Sequence, residues 1–271
     1  MDKIAEFFDS IVVVDTETTD IDTSKAEIIE IACGRFFDGE WPRLDLLLGS
    51  LRPIPPAASA VNHISNRMID GLPTFDDKID EIDELLCLGR VEAMVAHNAN
   101  FDRRVLEESY ARCDERKRFQ PFDQEQKWIC TWRLAKAVLG IDYSKIQYGL
   151  SYLRYFLDLD VDDGLAAHRA AIDVFVCGRL LEHLLSLAIE KNLVDPTEDI
   201  LPQIISLCWD PIPITKWTIG KKYLGKELKD IPTDYYLWAI TNIDELDEAN
   251  SRYNRDLSKS VENILTARDV I

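Results

Sequence analysis

The chain is short of positive charge. Its 271 residues carry 31 Lys plus Arg against 49 Asp plus Glu, a net charge of −18. A field of that sign repels polyanions, so a nucleic-acid ligand requires local cations to offset it. Long apolar runs are missing too. Those present, such as residues 11–14 and 46–48, fall far short of the roughly 20 residues that span a bilayer as a helix, so no membrane role is read. The first ten residues, MDKIAEFFDS, lack the cationic start and apolar stretch of a secretory signal. Six cysteines (Cys33, Cys87, Cys113, Cys130, Cys177, Cys208) contain no C-x-x-C pair, which argues against a zinc ribbon and a small disulfide framework. Reduced thiols and a cytoplasmic location are expected. There is no internal repeat and no low-complexity tract.

What is present is ordinary globular composition. Hydrophobic residues make up 46% and charged residues 30% of the chain, which excludes wholesale disorder. Ser10-Ile-Val-Val-Val-Asp15 is a short β-branched run, read as a buried central strand ending at Asp15. Residues 28–37 and 44–51 continue as strands, with Gly34 as a bulge site in the first. Residues 74–87 carry an amphipathic helical pattern, with Thr74 and Asp77 as a capping pair. Residues 91–97 are the next strand and 102–111 the helix after it. Residues 113–127 are heavily charged and read as an exposed insertion. Residues 168–191 form a long helix with an apolar stripe. Strands first, then alternation with helices, gives an α/β sheet with helices packed on it.

Composition changes near residue 192. Pro196, Pro202, Pro211 and Pro213 punctuate residues 192–212, read as a linker or a packed extension. The rest, residues 213–271, reads as a small basic and aromatic domain. Between residues 213 and 232 five lysines (Lys216, Lys221, Lys222, Lys226, Lys229) face Glu227 and Asp230, a local +3 (five minus two) in an acidic chain. These lysines are either solvated turn residues or contacts to phosphate. Trp217, Tyr223, Tyr235, Tyr236 and Trp238 read mostly as that domain's core, with a base-stacking role for one of them left open.

The chemistry sits in the acids. Asp15 and Glu17 are two apart at the end of a strand, so both side chains face one way. Two carboxylates there are costly unless a cation neutralises them, and Mg²⁺ accepts such oxygen ligands together with phosphate oxygens. Asp38-x-Glu40 and Asp123-x-Glu125 match the same D-x-E pattern and read as solvated loop acids; what sets Asp15 and Glu17 apart is the central strand that fixes them at the carboxyl edge of the sheet. His97-Asn-Ala-Asn-Phe-Asp102 follows an apolar strand and opens a helix, where Asp102 is either an N-cap or a functional acid. His168-Arg-Ala-Ala-Ile-Asp173 opens the long helix. There Asp173 is either a first-turn acid favoured by the helix dipole or a buried carboxylate in need of a partner.

Taken together, D-x-E at Asp15 and Glu17, N-x-x-F-D at Asn98 to Asp102 and H-x4-D at His168 to Asp173 resemble the three motifs of the DEDDh (DnaQ-like) 3′–5′ exonucleases. The segments AHNANFDRRVL, KWICTWRLAK and HRAAID, and the tail WTIGKKYLGKELKDIPTDYYLWAITNIDEL, extend the likeness over most of the chain. That resemblance implies a ribonuclease H-like mixed central sheet flanked by helices over residues 1–191, with the small C-terminal domain as an addition. It implies a metal-dependent 3′–5′ exonuclease that hydrolyses DNA, single strands and duplex ends, to nucleoside 5′-monophosphates. By analogy, Asp15, Glu17 and Asp173 hold one Mg²⁺ and Asp15 with Asp102 a second, with Mn²⁺ able to substitute. His168 takes a proton from the attacking water as general base. Thr16, Thr18, Asn98 and Phe101 contact the terminal nucleotide, and Arg103 and Arg104 lie beside a phosphate.

DNA is favoured over RNA as the partner. Two alternatives stand beside this reading: an exoribonuclease with the same site, and a non-catalytic module of the same fold that binds a nucleic-acid end or a protein. The chain departs from the family pattern in three places. Asp20 follows D-x-E-T-T where Gly is usual, Asn62-His63-Ile64 replaces a His-Gly-Ile turn, and the charged stretch 113–127 is longer than its counterpart.

Overall fold

The computed structural model describes residues 2–36, 41, 44–86, 88–140, 147–159, 161, 169–250 and 252–270. Five strands, β1 (Ile11–Thr18), β2 (Ile28–Gly34), β3 (Leu44–Leu47), β4 (Ala93–Ala96) and β5 (Trp128–Cys130), form one sheet in the order β3-β2-β1-β4-β5. β1 pairs antiparallel with β2 and β2 antiparallel with β3, whereas β4 is parallel to both β1 and β5. This is the mixed sheet that the motif order implied. Helices before or between the strands are α1 (Lys3–Asp9), α2 (Pro56–Asn62), α3 (Asn66–Ile69), α4 (Ile79–Leu85), α5 (Asn100–Arg112) and α6 (Arg116–Phe119). After the last strand come α7 (Thr131–Leu139), α8 (Leu150–Phe156), α9 (Ala170–Glu190), α10 (Ile200–Trp209), α11 (Thr233–Asn242) and α12 (Arg255–Thr266).

β1 and β2 read as continuous apolar runs because helices cover both of their faces. Every residue of β2 is buried, Glu30 included. The irregularity assigned to Gly34 lies instead in β1, where the register with β2 shifts between Glu17 and Thr18. Gly34 closes β2 at a regular pairing with Val13. α9 lies against β1 and β2, burying Ala170, Val174, Cys177, Leu181, Leu184 and Ala188 at the three- and four-residue spacing of one helix face.

Gly178 makes that packing dense. A Cβ built there would lie 2.5 Å from the ring of Trp41, which is 2% exposed and donates its indole N–H to Glu182 at 3.1 Å. Gly178→Ala is therefore expected to cost about 1–3 kcal/mol, as overpacking of a dense core does, although alanine is the better helix former. Urea denaturation checks the sign, since helix propensity alone predicts a gain.

Residues 113–127 are more than an exposed insertion. Phe119 and Phe122 are buried at 1% and 3% exposure, Phe119 stacks on Tyr110 at 5.2 Å, and the Phe122 carbonyl accepts the Trp128 indole N–H at 2.8 Å. The charges obscured two aromatic anchors. Residues 192–212 hold α10, with Ile200, Ile204 and Cys208 buried on one side and the Trp209 indole donating to the Trp128 carbonyl at 2.7 Å. The first compact unit therefore runs from Met1 to Trp209, and a second runs from Asp210 to Ile271.

The second unit is built on a tight hairpin and two helices. Lys216 bridges Glu227 antiparallel, and the Trp217 N–H donates to the Lys226 carbonyl at 2.9 Å. Gly220 and Gly225 take left-handed φ angles of 63° and 77°, which glycine accepts without steric cost. Trp217, Tyr236, Leu257, Val261 and Leu265 fill its core. Asn254 caps α12 by accepting from the Leu257 N–H at 3.0 Å. No helix among the described residues is long and apolar enough to cross a membrane.

Candidate active site

Period-two alternation along β1 sends Asp15 and Glu17 to the face that α9 covers. Asp173, in the first turn of α9, meets them there. One carboxylate oxygen from each of Asp15, Glu17 and Asp173 lies within 4.8 Å of the others. Asp102 enters from a different direction. β1 pairs with β4 only through Val13, so further along the strand the Thr16 N–H has no β4 carbonyl. Asp102, in the first turn of α5, fills that position: its Oδ1 accepts the Thr16 N–H at 3.1 Å and the Thr16 hydroxyl at 2.8 Å. Asp102 is thus the third residue of α5 rather than its N-cap, which is Ala99.

Mutual repulsion couples the four acids. Burial raises the Asp15 carboxyl well above the usual carboxylate range, with further repulsion from Asp102, Asp173, Glu17 and Glu30. Glu17 is pushed up to about 8, first by burial and then by Asp173, Glu30 and Asp102. Burial lifts Asp102 to about 7, against the hydrogen bonds from Thr16. Such clustering of perturbed acids is a mark of functional sites. The donors are all hard oxygens, which suits Mg²⁺ or Mn²⁺ rather than a thiophilic ion.

A stability test follows from these directions. Glu17 and Asp102 ordinarily lose their protons near 4.5 and 3.8, but hold them to about 8 and 7 in the folded chain. Between those values the folded state binds more protons than the unfolded one, so stability falls as pH rises. In EDTA, the melting temperature is expected to decline from about pH 5 to about pH 8, and millimolar Mg²⁺ to flatten that decline. A melting temperature that climbs with pH in EDTA contradicts the raised values.

Two residues that the motifs did not indicate organise this site. Glu30 pairs directly with Glu17 across the strands, an arrangement of like charges that is unfavourable by itself. Its side chain is 0% exposed. Arg169 neutralises it, with Nε donating at 3.0 and 3.2 Å to the two carboxylate oxygens and Nη2 donating to Oε1 at 2.5 Å. Glu30 also accepts the Ala170 N–H at 3.0 Å, which satisfies one of the open donors of the α9 N-terminus. Asp173 lies three residues beyond Ala170, so this bridge fixes the helix end that carries it. The available signal was an acid inside the apolar run Ile28-Ile29-Glu30-Ile31-Ala32-Cys33.

The remaining candidates are scattered more widely. Asn98, exposed and at φ 65°, lines a cleft of about 410 Å³ with Phe101, Arg104, Asn100 and residues 21–23. Arg103 points elsewhere: its Nη1 donates to the Asp123 carbonyl, and the side chain is 12% exposed. The hydroxyls of Thr16 and Thr18 are both engaged, the first with Asp102 and the second with the Asp20 carbonyl at 2.9 Å. Asn62, in the departing turn, donates to the Thr18 carbonyl at 3.2 Å, while His63 is the left-handed C-cap of α2. His97 is structural. Its ring spans Thr131 and the Tyr148 carbonyl at 3.0 and 2.8 Å, and burial lowers it to about 4. His168 lies outside the described residues, as do Asp38 and Glu40.

A mixed five-stranded sheet with a carboxylate cluster on its central strand defines a ribonuclease H-like nuclease. The chain matches the exonuclease family RNase_T over residues 12–181, and it belongs to that DnaQ-like exonuclease family. It is 30% identical to exodeoxyribonuclease 10 of Escherichia coli K12 over 86% of this chain and 92% of that protein. It is 32% identical to the DNA polymerase III subunit epsilon of Treponema pallidum over 66% of this chain and 77% of that one. Among solved structures it resembles exonuclease X in complex with 5′-overhanging duplex DNA, with a TM-score of 0.51 and 28% identity over 72% of this chain and 99% of that one. E. coli exonuclease I bound to a dT13 oligonucleotide shares the fold, with a TM-score of 0.52 and 14% identity over 68% of this chain and 42% of that one.

Proposed function

We propose that this exonuclease removes nucleotides from the 3′ end of DNA, single strands and duplex ends alike, and releases nucleoside 5′-monophosphates with Mg²⁺ as its cofactor. One observation carries the reading: the oxygens of Asp15, Glu17 and Asp173 within 4.8 Å, with Asp15 and Glu17 driven toward their protonated forms by burial and by the neighbouring acids. Such a site is electrostatically incomplete without a cation. Relatives named for DNA chemistry at 30% and 32% identity favour DNA over RNA.

In this mechanism Asp15, Glu17 and Asp173 would hold one cation and Asp15 with Asp102 a second. Bound cations would supply charge stabilisation to the attacking and leaving oxygens of an in-line displacement. The chain's own residues do the rest. Thr16 keeps Asp102 aimed through two hydrogen bonds. Asn98, Phe101 and Arg104 share the cleft, where the ring of Phe101 packs against the terminal nucleoside and Arg104 meets a phosphate. Arg103, committed to Asp123, acts as an anchor for α5. His168 is assigned the general-base role from its place five residues before Asp173, where an imidazole with an ordinary value near 6.5 accepts the proton of the attacking water at neutral pH.

The test uses 5′-labelled single-stranded DNA and RNA of one sequence, incubated with the protein in Mg²⁺ or in EDTA. A Mg²⁺-dependent ladder shortening from the 3′ end of the DNA is expected. Shortening of RNA alone would overturn the substrate, and an absence of products from either polymer would favour the non-catalytic binding module.

A further inference from the structure

The second unit carries a surface that the nuclease chemistry leaves unused. Trp238, in α11, is 50% exposed, and its ring lies 5.5 Å from that of Tyr235 at an interplanar angle of 34°. Tyr235 in turn meets Tyr223 edge-on at 4.5 Å. Lys222 and Tyr223 from the hairpin, with Pro232, Asp234, Tyr235 and Trp238, wall an open cleft of about 530 Å³, within the size range of ligand sites. The ammonium of Lys222 lies 5.2 and 5.1 Å from the Tyr223 and Tyr235 rings, and that of Lys226 lies 5.4 Å from Tyr223. Among the described residues neither lysine has a carboxylate within ion-pair distance. A tryptophan as exposed as this contributes little to the unit's core, which Trp217 and Tyr236 fill.

We propose that this cleft is a second nucleic-acid site, which stacks an unpaired base on Trp238 and holds the adjoining phosphates with Lys222 and Lys226. The inference rests on the reading above that the substrate is a nucleic acid, and adds where an unpaired stretch of it is held. Three features favour a single strand over an apolar peptide. The local +3 between residues 213 and 232 stands in a chain of net −18, so phosphate finds its complement here rather than over the acidic bulk. An exposed indole that shares its cleft with Lys222 offers a π-face and a backbone contact together, the pairing that sequence-tolerant single-strand sites use. The flanking rings Tyr223 and Tyr235 already pack against lysine ammonium groups, so those cations are held at the cleft rather than dispersed in solvent. Asp234, on the wall, repels phosphate and so directs the backbone toward the Lys222 side.

The test uses the full chain in EDTA, so that no cleavage occurs. Fluorescence anisotropy compares a twelve-nucleotide oligothymidylate with a strand of equal length made of abasic sites. Trp238→Ala is expected to weaken oligothymidylate binding about tenfold or more and to leave the abasic strand unaffected, while Trp238→Tyr restores most of the loss. Lys222→Ala with Lys226→Ala is expected to weaken both ligands and to reduce the slope of log K against log salt by roughly 1.4, two single-strand phosphate contacts. Equal affinity for the two strands in the wild type, or an unchanged oligothymidylate affinity in Trp238→Ala, would overturn the proposal. Hydrolysis of thymidine 5′-monophosphate p-nitrophenyl ester in Mg²⁺ separates this result from the catalytic reading. It is expected to be the same for wild type and Trp238→Ala, and its absence in both would sink the nuclease mechanism while leaving the binding result standing.

Discussion

Asp15→Asn is expected to lower hydrolysis of DNA by about three orders of magnitude or more, and at the same time to raise the melting temperature of the protein in EDTA. On the proposed mechanism Asp15 would serve both cations, so its loss would remove several kcal/mol of charge stabilisation, and each 1.36 kcal/mol is a factor of ten in rate. The gain in stability has the same origin. Asp15 is repelled by Asp102, Asp173, Glu17 and Glu30 and carries the cost of burial besides, so a neutral isostere relieves strain that only cations otherwise offset. One or two kcal/mol recovered amounts to roughly 2–8 °C in a chain of this size. Kinetics and calorimetry on one preparation check both halves. A variant that loses activity and also melts lower in EDTA would make Asp15 a structural residue and take the electrostatic account down with it.

Breaking the Glu30–Arg169 bridge should produce the largest loss of stability, and the two ways of breaking it should differ. Arg169→Ala leaves a carboxylate that is 0% exposed, opposite Glu17 and without its counter-ion. The cost of removing one partner from a buried pair is about 3–5 kcal/mol, and here it comes with an extra charge beside the acidic cluster. Glu30→Ala leaves instead a guanidinium whose side chain is 37% exposed and which can turn toward water, so its cost should be the smaller. The double substitution should be less harmful than Arg169→Ala alone, because it removes the orphaned charge. Guanidinium chloride denaturation of the three variants measures the order. Equal losses for the two single variants would show that the bridge is not the asymmetric device its burial implies.

The acidic constellation was readable because its residues sit at element ends, where local pattern is strongest. Asp15 and Glu17 close a β-branched run and share a face by strand periodicity alone. Asp173 stood out as an acid amid Ala170, Ala171, Ile172 and Val174. Other features depend on tertiary structure alone. That Asp102 serves β1 through Thr16 depends on β4 ending its pairing at Val13, a matter of sheet register that no local window contains. Glu30 and Arg169 are 139 residues apart, and their pairing is a tertiary fact, although a lone acid in an apolar strand was its visible trace. Charge misled the reading of residues 113–127, because Phe119 and Phe122 anchor a segment whose other residues are mostly polar. Prolines misled it less between residues 192 and 212. Pro202 lies near the start of α10, where a missing N–H costs nothing.

The carboxylate cluster would be a divalent-cation site whose raised Glu17 and Asp102 carboxyls release protons when the cation binds. Calorimetric titration of the metal-free protein with Mn²⁺ at about pH 7, in two buffers of different ionisation enthalpy, tests it most directly. Binding accompanied by proton release is predicted, because acids raised to about 7 and about 8 must lose protons to become ligands; Asp15→Asn should abolish most of the heat. Binding with no proton release, or with unchanged affinity in the variant, would contradict the assignment of these acids as the cation site.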